Sequence, residues 1–139
     1  MRVHLALNVS DLEAAVAYYT KLLGAPPSKR KPGYANFALE TPPLKLALFE
    51  APGASERLNH VGVETPTFAE VEEAIGRLSA EGIARDVARD TTCCYAKKAE
   101  VWSADPQGLR WEWYNVRGDS ETFGPEEPPS VEAASPARS

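Results

Sequence analysis

The chain opens with alternating apolar and polar residues and then changes to helical spacing. Residues 3–7 alternate, as expected of a strand with one buried face. Over Leu12–Leu23 the apolar residues recur every three or four positions, after a cap at Ser10-Asp11 and before a stop at Gly24. The first half is therefore predicted to begin with a strand that is followed by a helix.

The same order returns 56 positions later. Residues 59–63 alternate, Thr65 or Thr67 caps a second stretch of helical spacing over 71–78, and Gly82 stops it. Strand-like segments follow each helix, separated by turn signals at Pro42-Pro43 and at Asp105-Pro106-Gln107-Gly108. These strands are predicted at residues 28–31, 34–39 and 44–49 in the first half and at 83–89, 99–103 and 109–116 in the second.

This repeat predicts an α+β fold made of two βαβββ modules that pack pseudo-symmetrically around a shared site. The modules cover about residues 1–54 and 57–118, and together they form a single domain over 1–118. Each module is small for a core of its own, so the two are expected to pack together. The segment 119–139 is acidic and rich in proline, and it is predicted to be a disordered tail.

The composition and charge of the chain argue against several classes of function. With 139 residues, 43% apolar and 25% charged, the chain is of the size and composition of one soluble globular domain. The net charge is −5, and the tail carries five acidic residues against a single arginine, so the remainder is almost neutral. No nucleic acid partner is expected of such a surface. No apolar run approaches the ~20 residues of a membrane span, and the start lacks a signal-peptide core, which predicts a cytoplasmic protein without membrane contact.

The chain has only two histidines, and both occupy the same position of the repeated first strand. Alternation puts His4 opposite Leu5 and its apolar neighbours, and His60 opposite Val61 and Val63. If the modules pair symmetrically, the two imidazoles converge on the concave side of the sheet, where neutral imidazole can bind a transition metal. The alternative is two separate strand histidines with ordinary hydrogen bonds.

Glu112 is the candidate third ligand. It alternates with Trp111 and Trp113, and a carboxylate buried in an aromatic strand requires a metal or an ion pair. An overlay of the modules with an offset of 65 puts Ala47 in the equivalent slot, so the first module offers no second carboxylate. Glu50 lies three positions further on and is expected to point away, as a strand-end surface residue.

Two histidines and one carboxylate that leave coordination positions open are typical of non-heme Fe(II) enzymes that bind O2. A closed structural site would need a fourth protein ligand. The adjacent thiols of Cys93 and Cys94 are too close in the chain for a relaxed disulfide with each other, and they are predicted to lie on a loop. Such a pair suits a soft centre such as a trivalent metalloid or a d10 metal; the alternative is a pair of small buried apolar residues.

The duplicated βαβββ pattern resembles the vicinal-oxygen-chelate superfamily, which includes glyoxalase I, bleomycin and fosfomycin resistance proteins and extradiol dioxygenases. Within it, the chain resembles the carbon-arsenic lyases and their cadmium-induced relatives from Arg2 to about Gly118. The segments that carry this resemblance are RVHLAL at 2–7, PGYANFA at 32–38, PLKL at 43–46, LNHVGV at 58–63, TCCYA at 92–96 and WEWY at 111–114.

This resemblance implies an Fe(II)- and O2-dependent lyase that converts trivalent organoarsenicals, such as methylarsonous acid and trivalent aromatic arsenicals, to arsenite. It implies that His4, His60 and Glu112 hold the iron and form the catalytic centre. It also implies that Cys93 and Cys94 bind the arsenic, with Tyr95 beside them in the substrate site. Glu100 departs from the pattern, because the relatives lead us to expect a basic residue there; this departure bears on substrate range.

Three alternatives remain open. A thiol-binding protein that sequesters Cd(II) or As(III) would need the cysteines and not the metal ligands. A glyoxalase-like Ni or Zn enzyme would want a ligand at Ala47, and an extradiol dioxygenase would not need Cys93 and Cys94. The sequence is compatible with a monomer or a homodimer.

Overall fold

The computed structural model describes residues 1–93 and 96–119, without the side chains of Cys93 and Asp119. Within these residues it has eight strands and two helices, which confirms the predicted α+β class. Contacts divide the chain into two units, Arg2–Asn59 and the part from His60 onward. The predicted tail lies outside the described residues beyond 119.

The first unit holds a strand, a helix and three further strands. In chain order these are β1 (Arg2–Val9), α1 (Leu12–Leu23), β2 (Lys29–Lys31), β3 (Tyr34–Leu39) and β4 (Leu44–Glu50). The strand order is β2-β3-β4-β1, with β1 and β4 parallel and the other neighbours antiparallel. The short strand expected near residues 28–31 is therefore present.

Helix α1 begins and ends where the sequence predicts. The Asp11 side chain accepts a hydrogen bond from the Ala14 N–H at 3.1 Å, and Gly24 closes the helix in the left-handed region with φ 70°. Leu12 and Val16 are buried against strand residues that include Phe37. One face of the strands of this unit is therefore covered by α1, and His4 and Ala47 alternate with the residues of that core.

The second unit repeats the order. It consists of β5 (Leu58–Glu64), which begins two residues before the boundary, α2 (Phe68–Ala80), β6 (Arg85–Cys93), β7 (Ala96–Ala104) and β8 (Arg110–Asp119). The strand order is β5-β8-β7-β6, and β8 joins β5 in parallel as β4 joins β1. No helix of the described part is long and apolar enough to cross a membrane.

The cap of α2 agrees with the prediction, whereas both ends of β6 differ from it. Of the two expected caps, Thr65 and Thr67, it is Thr67 that caps α2, and the Glu70 carboxylate accepts from its N–H at 3.2 Å. Strand β6 starts at Arg85 and not at residue 83, because the Ile83 N–H still bonds the helical carbonyl of Leu78 at 3.0 Å. The strand also extends beyond residue 89, because β7 pairs with it as far as Cys93.

The register of the parallel pairs is the same in both units. Ala6 lies opposite Ala47 in the first unit, and Gly62 lies opposite Glu112 in the second. These pairs reproduce the offsets of the sequence repeat, 56 for the first strand and 65 for the last. Ala47 is therefore the structural counterpart of Glu112.

The core of the second unit lies between α2 and one face of β7 and β8. Val71 and Ala74 of the helix are buried against Ala99 and Val101 of β7. Residues of the opposite parity lie on the face away from α2, where the candidate chemistry is found: Lys98, Glu100 and Trp102 on β7, and Glu112 and Tyr114 on β8.

Candidate metal centre

Strands β5 and β8 bring two of the predicted ligands together. His60 Nε2 lies 3.4 Å from Glu112 Oε1, and both side chains are 0% exposed. An imidazole nitrogen and a carboxylate oxygen at this separation present two donors of the types that bind divalent transition metals. The second unit therefore brings together two side chains that could hold a divalent metal.

Gly62 allows these two strands to approach at the site. A Cβ atom at this position would lie 2.3 Å from the carbonyl oxygen of Glu112. No side chain fits there without a shift of the backbone at Glu112. The glycine of the His60-Val61-Gly62 segment is therefore part of how Glu112 is held.

The environment of His60 keeps its ring neutral. Burial, followed by the positive charges of Lys98 and Arg110, holds the pKa of His60 well below its usual 6.5. The ring also packs edge-on against Trp102, with the centroids 5.0 Å apart. A neutral, fixed imidazole keeps a lone pair available for a metal at neutral pH.

Glu112 is compensated by a buried cation. Lys98 Nζ donates to Glu112 Oε2 at 2.9 Å, and the lysine side chain is only 4% exposed. The same ammonium lies 4.6 Å from the centroid of the Tyr114 ring. The sequence requires a metal or an ion pair to compensate this carboxylate, and Lys98 provides an ion pair.

Lys98 is the residue of this centre that the sequence reasoning missed. Ala99 and Val101 are apolar and alternate with Lys98 and Glu100, and period-two alternation puts the latter two on the face of Glu112. That signal was available. What it lacked was the pairing of β7 with β8, which puts Trp102 and not Lys98 opposite Glu112, so that the lysine reaches the carboxylate diagonally.

Glu100, which stands where a basic residue is expected, is buried on the same face of β7 as Lys98. It is 5% exposed and lies opposite Tyr114 in the β7–β8 register. Its carboxylate accepts a hydrogen bond from the Trp102 indole N–H. The guanidinium of Arg110 lies 5.1 Å from the centroid of the Trp102 ring. Glu100 and Arg110 thus hold the tryptophan that packs against His60.

His4, Ala47 and Glu50 belong to the first unit. His4 lies in β1 opposite Lys45 of β4 and is 3% exposed, and Ala47 is fully buried. Glu50 is exposed at the end of β4, as expected, and its Oε2 accepts from the Leu12 N–H at 3.0 Å. Glu50 therefore contributes to the start of α1.

Of the predicted arsenic-binding residues, the structure describes only the backbone of Cys93. That backbone ends β6 opposite Ala96 and is not part of a loop, because β6 is longer than predicted. The Cys93 side chain, Cys94 and Tyr95 lie outside the described residues.

The fold and the sequence define the class of protein. The family model of the Glyoxalase/Bleomycin resistance protein/Dioxygenase superfamily matches residues 2–113, and the chain belongs to this superfamily. The Mn(II)-bound glyoxalase from Novosphingobium aromaticivorans has a similar fold, with a TM-score of 0.63 and 16% identity over 88% of this chain and 41% of that chain. A catechol 2,3-dioxygenase is similar with a TM-score of 0.56 and 20% identity, over 86% of this chain and 42% of that chain. The predicted vicinal-oxygen-chelate fold is confirmed.

The relatives with higher sequence identity fall into two groups with different names. The chain is 54% identical over 123 residues to the cadmium-induced protein CadI of Mycobacterium tuberculosis, covering 88% of this chain and 81% of that protein. It is 50% identical over 123 residues to the trivalent organoarsenical cleaving enzyme of Thermomonospora curvata, covering 88% and 82%. Both groups that the sequence resembles are thus among its relatives, and one of them consists of enzymes.

Proposed function

We propose that this protein is an Fe(II)- and O2-dependent enzyme that cleaves the carbon–arsenic bond of trivalent organoarsenicals. The observation that carries the proposal is the buried, neutral His60 beside the Glu112 carboxylate at 3.4 Å. The 50% identity to the Thermomonospora curvata enzyme supports the choice of substrate.

The donors of this pair fit a divalent transition metal. A buried carboxylate supplies the negative charge, and a neutral imidazole supplies a lone pair without a proton to displace. His4 holds the position of His60 in the repeat, and we assign it as the third ligand. Ala47 contributes no fourth ligand, which favours Fe(II) with open positions over a four-ligand glyoxalase-like site.

When bound, the iron would supply the activation of O2 that oxidative cleavage requires. The residues around the ligands hold the donors in place. Trp102 packs against the His60 ring, and Gly62 lets β5 approach the backbone of Glu112. Ligands fixed in this way need no rearrangement when the metal binds, which preserves affinity and geometry.

The substrate is proposed to bind through Cys93 and Cys94, beside Tyr95. Two thiols condense with the two hydroxyls of methylarsonous acid, which forms two sulfur–arsenic bonds and releases two waters. This binding presents the methyl group for oxidation. Over a full turnover, one methylarsonous acid and one O2 give one arsenous acid and one formaldehyde, which balances atoms and electrons.

The test is anaerobic reconstitution with Fe(II), followed by addition of methylarsonous acid and air and by speciation of the arsenic. The wild-type protein is expected to release arsenite with one Fe(II) per chain. His60→Ala should lose iron and turnover together, whereas Cys94→Ser should lose substrate binding and keep its iron. Full iron content and turnover in His60→Ala would disprove the metal site, and loss of iron in Cys94→Ser would move the thiols into it.

A second candidate is sequestration without turnover, which the 54% identity to a cadmium-induced protein favours. Such a protein would bind Cd(II) or As(III) through Cys93 and Cys94 alone. It would bind one equivalent of methylarsonous acid without release of arsenite, and His60→Ala would not affect that binding. Release of arsenite beyond one equivalent excludes this candidate.

A further inference from the structure

The two oxygens of Glu112 have different partners. Oε1 faces His60 Nε2 at 3.4 Å, whereas Oε2 accepts a hydrogen bond from Lys98 Nζ at 2.9 Å. A carboxylate that is held in this way has one oxygen turned toward the ligand pair and one engaged by a cation. This division is set by the protein itself, because both partners are buried.

Affinity for a metal does not explain a lysine in this position. A buried ammonium is costly unless it is paired, and here its pair is the carboxylate that a divalent cation would use. Two cations that share one carboxylate repel each other, so Lys98 opposes the binding of a metal at Glu112. The position of Lys98 therefore needs an explanation other than metal affinity.

The position of Lys98 is specified by its surroundings. Its ammonium lies 4.6 Å from the centroid of the Tyr114 ring, which is 1% exposed, and donates to Glu112 from there. The preceding residue, Lys97, is exposed and lies on the opposite face of β7. Of these two neighbouring lysines, only Lys98 lies at the ligand pair.

We propose that Lys98 is a positioning residue that restricts Glu112 to coordination through Oε1 alone. The lysine occupies Oε2 and so prevents the carboxylate from chelating the metal with both oxygens. This keeps a coordination position open for O2 or substrate and weakens metal binding. The inference rests on the metal site proposed above and adds the control of its coordination number.

The experiment uses Co(II) and Mn(II) as probe metals on the full chain. Lys98→Met removes the charge at similar length, Lys98→Arg keeps a cationic donor, and Lys97→Met is the matched surface control. Lys98→Met should bind Co(II) about tenfold more tightly than wild type, because a repelling cation is gone. Its Mn(II) form should keep fewer exchangeable waters in proton relaxation, and its turnover with Fe(II) should fall. Lys98→Arg should restore affinity and water number, and Lys97→Met should change neither.

Weaker or unchanged Co(II) binding in Lys98→Met, or an unchanged water number, would overturn the inference. If metal-free Lys98→Met does not fold, Co(II) should restore a cooperative thermal transition by replacing the missing charge, and failure to restore it counts against the proposal. The His60→Ala variant distinguishes a failure of the proposed metal site from a failure of the proposed role of Lys98. Unchanged Co(II) binding in His60→Ala would disprove the metal site itself, whereas loss there with an unaltered Lys98→Met would disprove the role of Lys98 alone.

Discussion

The two units share their strand order and register but differ in the chemistry of the face away from the helix. In the first unit, Ala47 lies opposite Asn36, and the Asn36 side chain donates to the Tyr34 hydroxyl at 2.9 Å. In the second unit, the equivalent pair is Glu112 and Trp102. One half presents small and neutral groups where the other presents a carboxylate and an indole. The repeat has thus kept the backbone and changed the side chains that carry the chemistry.

The residue that faces this position from the neighbouring parallel strand also differs between the units. Ala6 lies opposite Ala47, whereas the equivalent position opposite Glu112 is Gly62, where a Cβ would approach a carbonyl oxygen to 2.3 Å. The unit with the carboxylate is therefore also the one that requires a glycine. At this position the two units therefore differ both in the side chain on the last strand and in the residue that faces it from the first strand.

The largest expected effect is that of removing the charge of Glu112. Glu112→Leu leaves the Lys98 ammonium buried without its partner, and the free energy of unfolding of the metal-free protein should fall by about 3–5 kcal/mol. Denaturant unfolding measures this change. The double variant Glu112→Leu/Lys98→Met should recover most of the loss, because apolar replacement of a buried ion pair is often neutral.

The control for this prediction is Glu50→Gln, at an exposed carboxylate at the end of β4 in the first unit. It should cost at most about 1 kcal/mol, because it weakens only an acceptor at the start of α1. Equal losses in Glu112→Leu and Glu50→Gln would mean that the buried ion pair does not distinguish the two units.

The ion pair of Lys98 and Glu112 also shows which features of the site can be predicted from the sequence and which cannot. The period-two alternation was enough to put His60 and Glu112 on one face, and the repeat identified Ala47 as the counterpart of Glu112. The partner of Glu112 could not be assigned from the alternation alone, because Trp102 is the residue that pairs with Glu112, whereas Lys98 pairs with Val116 and reaches the carboxylate diagonally. The start of β6 was placed too early because Ile83 is apolar like a strand residue but is hydrogen-bonded to the end of α2.

A substitution at Gly62 tests whether the close approach of β5 to β8 keeps Glu112 in place. Gly62→Ala forces the backbone of β5 or β8 to shift, and we expect a loss of stability of about 1–3 kcal/mol, as for other overpacked sites. Co(II) affinity should fall with it, because the shift moves Glu112. The reverse substitution at the equivalent position, Ala6→Gly, should cost only about 0.5–1 kcal/mol and serves as the control. If both substitutions cost the same, the close approach at Gly62 is not what holds the ligand.

A carboxylate at Ala47 would make the two units alike. Under the proposed function, Ala47→Glu adds a fourth ligand to the two histidines and Glu112, so the metal is retained while an open position is lost. Turnover of methylarsonous acid should fall about tenfold or more, equivalent to about 1.4 kcal/mol in the barrier. Ala47→Ser keeps the residue small and should retain activity. Wild-type turnover in Ala47→Glu with Fe(II) would mean that Ala47 does not face the metal.

The smallest expected effect is a pH dependence that belongs to the second unit. The pKa of His60 is well below 6.5 in the folded protein, so between that value and about 6.5 the unfolded chain binds a proton that the folded chain does not. The stability of the metal-free protein should therefore decrease as the pH falls below about 6.5, by at most about 1.4 kcal/mol per pH unit from this residue. His60→Asn should flatten that slope in denaturant unfolding.

The control for this pH dependence is Glu13 in the first unit. The pKa of Glu13 is lowered from 4.5 by its hydrogen bond with Arg30, so Glu13→Gln should leave the slope above about pH 5 unchanged. A slope that persists in His60→Asn would show that the ring is not held neutral by its surroundings, and the argument for a preformed lone pair would fail with it.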